Sequence, residues 1–139
     1  MKYREPTAEF LGTFLLVTTV VGSGIMAEDL SQGNTATALL ANAIATGATL
    51  YVIITIFGPI SGAHFNPVVT LAMFLRCQIS SRKSIAYVVF QILGGICGTA
   101  VAHLMFELPV LQFSTTARTG LSQYFSEVIA TFGLLLTIL

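Results

Sequence analysis

Apolar stretches of about twenty residues alternate along this chain with short polar breaks. The first covers about residues 7–27 and the second about 35–57, separated by the polar connector Glu28-Asp29-Leu30-Ser31-Gln32-Gly33-Asn34. A third runs over about 84–106, and a fourth begins near Gln123 and is still apolar at Leu139. A helix needs about 20 apolar residues to cross a bilayer. The pattern therefore predicts three complete spans and a fourth, over 123–139, that is incomplete. The apolar run from Phe10 to about Met26 exceeds the usual signal-peptide core of about 7–15 residues. Its polar lead also contains Glu5, so it reads as a retained span.

One segment breaks the alternation. Gly58-Pro59 is expected to stop the second helix, because Pro lacks an N–H and restricts the residue before it. Ser61-Gly62-Ala63-His64-Phe65-Asn66-Pro67-Val68-Val69-Thr70 follows. Residues 60–65 are expected to be extended or irregular. Asn66 suits a helix N-cap and Pro67 the first helical position. The helix they open, about 67–76, would be about 15 Å long at 1.5 Å per residue, half a bilayer thickness. It reads as a re-entrant half-helix. Irregular backbone at membrane depth must be buried in protein or line a watery cavity.

Composition narrows the class. The chain of 139 residues is 55% hydrophobic and 9% charged, against about 25% charged in soluble domains, and its mean hydropathy is +0.86. This is an integral membrane protein in contact with the lipid bilayer. Zero net charge gives no reason to expect a nucleic-acid partner. Cys77 and Cys97 show no disulfide or metal spacing and read as small apolar side chains. Lys2, Arg4, Arg76, Arg82 and Lys83 fall on one side of the predicted spans and Arg118 alone on the other. The positive-inside rule then places the N-terminus in the cytoplasm, in an inner or plasma membrane, with the half-helix loop entering from that side.

An internal repeat is visible. Ala8-Glu9-Phe10-Leu11-Gly12-Thr13-Phe14 aligns with Ser126-Glu127-Val128-Ile129-Ala130-Thr131-Phe132, with Glu, Thr and Phe identical. Three spans separate the two starts, so the second copy enters from the opposite face. Inverted repeats are a common plan for transporters and channels, with the site near the midplane.

These residues together resemble the aquaporin, or major intrinsic protein, family. The segment 61–70 is similar to its first Asn-Pro-Ala box, 8–13 to its first span, and Gln91 with Gly94, Gly95 and Gly98 to its third. The resemblance covers the whole chain. It implies an all-α integral membrane fold: an aquaporin-like inverted-repeat bundle with a re-entrant half-helix, truncated in the fourth span, forming the N-terminal part of one channel domain over 1–139. It further implies a homotetramer, no enzymatic activity and no cofactor. Val68 stands where the family usually has Ala. Thr46, twenty positions before Asn66, occupies the filter position on the second span, where water- and glycerol-selective members tend to have a large aromatic. A small Thr there suggests a wider, more polar opening. The overall pattern also looks like bacterial members associated with arsenic resistance, whose substrate arsenous acid is neutral and glycerol-like.

The pore-lining set is then Gly62, Ala63, His64, Phe65, Asn66, Pro67 and Val68. The carbonyls of residues 62–65 would act as acceptors and Asn66 as cap and donor, while Gly62 allows unusual backbone angles. The half-helix would bring about half a positive charge to the pore centre. Glu9 and Glu127, the acidic residues inside apolar stretches, are expected to brace the pore loops, Glu9 through His64; acid–base work has no other supporting group here. His64 has no metal-ligand set around it. Gly94, Gly98 and Ala102 read as a close-packing stripe. Thr13, Thr18, Thr49 and Thr55 are expected to bond back to their own helix carbonyls. His103 has no assigned role. The leading reading is a passive channel for water or small uncharged solutes. The alternatives are half of a secondary transporter, with the two Glu as an ion site, or a fragment without transport activity.

Overall fold

The computed structural model describes residues 3–112 and 119–138. Arg118 and the polar run at 114–116 lie outside the described residues, as do Lys2 and Leu139. Among the described residues five helices follow one another: α1 Arg4–Leu30, α2 Thr35–Ser61, α3 Pro67–Leu75, α4 Ser81–Met105 and α5 Leu121–Ile138. Of these, α1, α2, α4 and α5 are long and apolar enough to cross a membrane. The short α3 lies between the second and third of them. The chain is an all-α integral membrane bundle.

Caps fix three of the helix starts. Asn34 accepts from the Thr37 N–H at 3.1 Å to open α2. Asn66 accepts from the Val68 N–H at 2.7 Å to open α3, with Pro67 at the first position. Ser80 accepts from the Lys83 N–H at 3.3 Å to open α4.

The helices outrun the apolar stretches that predict them. α1 begins at Arg4 rather than 7 and continues through Glu28 and Asp29 to Leu30. Hydropathy marks the part of a helix that lipid can cover, not its last hydrogen bond. Pro6 sits in the first turn, where its missing N–H costs nothing. For the same reason α4 begins at Ser81, not 84, and α5 at Leu121, not 123. α3 ends at Leu75 with Arg76 as its cap.

The expectation that Gly58-Pro59 ends the second helix is wrong. α2 runs through both residues to Ser61, and Gly62 caps it in the left-handed conformation at φ 91°. Pro clashes with the Cβ of the residue before it; Gly58 has none. Pro59 lies in the last turn, so only one interior hydrogen bond is lost.

α1 is the central element, packed against both α2 and α4. The α1–α4 contact is backbone on backbone. A Cβ on Gly94 would lie 2.5 Å from the Phe10 carbonyl oxygen, and one on Gly98 2.6 Å from that of Phe14. Thr18 bridges the seam, its hydroxyl 2.8 Å from the Phe14 carbonyl and 3.2 Å from that of Gly98. Residues 10, 14 and 18 meet 94 and 98 in the same order, so α1 and α4 run parallel. Their starts are tied by the Lys83–Glu5 ion pair at 2.8 Å. Arg4, Arg76, Arg82 and Lys83 therefore gather at one end of the bundle. α5 has no buried residue and packs lightly, against α3.

Candidate functional site

The site is built around the link between α2 and α3. Gly62, Ala63 and Phe65 all have left-handed φ, at 91°, 52° and 47°. Two of these are not glycine, and such residues cost of order 1–3 kcal/mol each unless their surroundings hold them. The surroundings do. The Ala63 N–H donates to Ser61 Oγ at 3.1 Å. The His64 N–H donates to Glu9 Oε1 at 3.1 Å and the Phe65 N–H to Glu9 Oε2 at 2.7 Å. Successive N–H groups turned onto one anionic oxygen pair form a nest.

Glu9 is the hub and is fully buried, at 0% exposure. Besides the two backbone N–H groups, Ser61 Oγ donates to it at 2.6 Å and Gln91 Nε2 at 2.8 Å. A carboxylate offers about four acceptor positions, and these donors occupy them. The expected link from Glu9 through His64 therefore runs through the His64 backbone, not its ring. The ring nitrogen Nδ1 instead lies 3.1 Å from Thr70 Oγ1, to which Gln91 Nε2 also donates at 3.0 Å. The Tyr87 hydroxyl closes the network by donating to the Ser61 carbonyl at 2.7 Å.

The inward side chains of the loop are packed tightly. Phe65 and His64 are buried, at 5% and 8% exposure. The Phe65 ring sits edge-on to Phe57, their centroids 6.1 Å apart. It also fills the space a side chain at Gly12 would need, since a Cβ there would fall 1.9 Å from the ring. Of His64 and Phe65, only the backbone is left to face outward. Among the described residues no donor reaches the carbonyl oxygens of Gly62, Ala63, His64 or Phe65. Gly62, Pro67 and Val68 are exposed, and Asn66 is half-buried.

Two predicted residues stand apart from this cluster. Thr46 is half-buried on α2, its hydroxyl 3.1 Å from Asn42 Oδ1. Glu127 is exposed on α5 and does not join the Glu9 network. Thr18 and Thr55 bond to carbonyls of their own helices, whereas Thr49 donates to Thr19 Oγ1 at 3.3 Å and the buried Thr13 hydroxyl has no partner among the described residues.

Sequence reasoning gave no role to Ser61, Thr70, Tyr87 or Asn42, and used Gln91 only for resemblance. A signal for two of them was present. Tyr87, Gln91, Gly94, Gly98 and Ala102 recur at helical spacing, and together they are the buried face of α4. An amide and a phenol on a small-residue stripe must find buried partners.

The sequence that builds this nested loop and capped half-helix is similar to those of known proteins. The family model described as Major intrinsic protein matches residues 1–139. The chain belongs to the major intrinsic protein family. It is 56% identical over 136 residues to the aquaglyceroporin AqpS of Rhizobium meliloti (strain 1021), covering 98% of this chain and 58% of that protein. It is 33% identical to a probable aquaporin of TIP type from Medicago truncatula, over 94% of this chain and 54% of the relative. The same identity is found with the glycerol uptake facilitator protein-like 6 of Lactiplantibacillus plantarum, over 98% of this chain and 62% of the relative. The chain thus spans little more than half the length of these curated relatives. Major intrinsic proteins are channels and not enzymes.

Proposed function

We propose that this chain supplies one arm of a passive pore for water or small uncharged solutes. The observation that carries the reading is the row of carbonyls from Gly62 to Phe65, which no donor reaches among the described residues. Such groups cost several kcal/mol each in hydrocarbon. At membrane depth they need water or a hydroxylated solute as partner. Asn66 caps α3 with its Oδ1, which leaves its amide N–H groups free to donate to the same solute. The α3 N-terminus adds about half a positive charge there and opposes cations and protons. Val68, 43% exposed, narrows and dries this point relative to Ala.

Thr46 is proposed as the filter residue on α2. A small hydroxylated side chain there suits glycerol-like solutes, arsenous acid among them, and the name aquaglyceroporin carried by the Rhizobium relative points the same way. Glu127 is proposed to brace an equivalent second loop. The protein is further proposed to sit in a plasma or inner membrane as a homotetramer, with its N-terminus in the cytoplasm.

The transporter alternative needs an ion site on the two acidic residues Glu9 and Glu127. Four donors already fill the Glu9 carboxylate, which favours the channel. Flux measured in proteoliposomes tests this. A channel gives flux linear in solute concentration and indifferent to an imposed proton gradient. Saturating flux that follows the proton gradient would overturn the reading.

A further inference from the structure

Thr46 does not bond back to a carbonyl of its own helix, as the exposed Thr55 and Thr137 do. Its hydroxyl donates to Asn42 Oδ1, one turn toward the N-terminus of α2, at 3.1 Å. Asn42 is in turn fixed from the neighbouring helix, because Ser23 Oγ on α1 donates to the same Oδ1 at 3.3 Å. Gly24, beside Ser23, leaves the room this needs: a Cβ there would lie 3.1 Å from Asn42 Nδ2. An amide inside an apolar span is expensive to place. This one is held from α1 by Ser23 and in turn holds Thr46.

The depth fits a constriction. Thr46 lies 15 residues before Ser61, or about 22 Å along the α2 axis. The stretch from Ser61 to Asn66 returns at most about 18 Å. Thr46 therefore sits at least about 4 Å to the outer side of the Asn66 cap.

We infer that Asn42 is a specificity-determining positioning residue, which commits the Thr46 hydroxyl proton and presents the Thr46 oxygen as a fixed acceptor to neutral solutes rich in O–H donors. The inference rests on Thr46 being a filter residue and deepens that reading. Its consequence for selectivity follows from solute shape. A water molecule rotates to meet either a donor or an acceptor. A polyol, with hydroxyls fixed on a carbon chain, cannot, so it gains more from an acceptor of fixed direction. Without Asn42, the Thr46 proton is free to swing to its own carbonyl or toward the solute.

The test compares glycerol and water permeability in proteoliposomes holding the protein that carries this chain. Asn42→Leu is expected to lower the glycerol-to-water ratio at least threefold. In a Thr46→Val background, which has no hydroxyl to position, the same substitution should change the ratio by less than a factor of 1.5. An equal fractional fall in both backgrounds would show that Asn42 only supports packing, and would overturn the inference. Ser23→Ala removes one donor without disturbing the fold of α2, and should shift the ratio in the same direction by a smaller factor. No shift in that variant also counts against the proposal, and it keeps the test decisive where Asn42→Leu does not insert. Thr46→Phe separates the two claims. If it leaves the ratio unchanged, the filter reading itself fails; if it lowers the ratio while Asn42→Leu does not, only the positioning role fails.

Discussion

Glu9 shows how one side chain can dictate a backbone. Its two oxygens collect the N–H groups of His64 and Phe65, the Ser61 hydroxyl and the Gln91 amide. Replacing it with Gln keeps the shape but turns an NH2 toward groups that are themselves donors. Each stranded buried N–H costs about 1–3 kcal/mol. Glu9→Gln is therefore expected to lower the thermal midpoint in detergent and to expose the 61–66 link to protease. A variant as stable and as resistant as the parent would remove Glu9 from its bracing role. Asn66 makes a different prediction. Asp caps a helix as well as Asn does, so Asn66→Asp should insert and fold normally. It loses the N–H donors and adds negative charge at the proposed pore centre. Neutral-solute flux in a swelling assay should fall at least severalfold, and undiminished flux would count against Asn66 as a pore residue.

Elements obey rules that single residues do not announce. α2 carries a proline through its last turn because the preceding residue is glycine and few helical bonds remain to lose. The α1–α4 pair is set by distance. Gly98 lets the two backbones touch, and a methyl there would press on the Phe14 carbonyl. Gly98→Ala should cost about 1–3 kcal/mol, read as a lower midpoint in thermal unfolding. Gly47, on α2, meets nothing within 4 Å, so Gly47→Ala should be neutral or slightly stabilising, since Ala is the better helix former. Similar losses for both would show that helix propensity, not contact, sets the α4 glycines. The spacing of Gly94, Gly98 and Ala102 announced this packing stripe. It did not announce which helix lies on it, because a small-residue face fits any partner.

At the scale of the whole molecule, charge and topology make a joint prediction. Cys77 is exposed, directly after the Arg76 cap and at the end of the bundle where Arg4, Arg82 and Lys83 gather. In a Cys97→Ser background, a membrane-impermeant maleimide should label Cys77 in inside-out vesicles and not in right-side-out ones. The reverse pattern would invert the proposed orientation. The sequence by itself determined the membrane class, the number of apolar spans, the Asn66-Pro67 start of the half-helix and the family likeness. These rest on local properties: twenty apolar residues in a row, a capping side chain, a proline with fixed φ. The tertiary structure alone decided how the loop is held. That Glu9 grips the backbone of His64 and Phe65 rather than the His64 ring, that Gly12 makes way for Phe65, and that Ser23 on α1 bonds Asn42 on α2 all join residues of different elements. Such contacts are set by the register of one helix against another, and no local pattern carries that register.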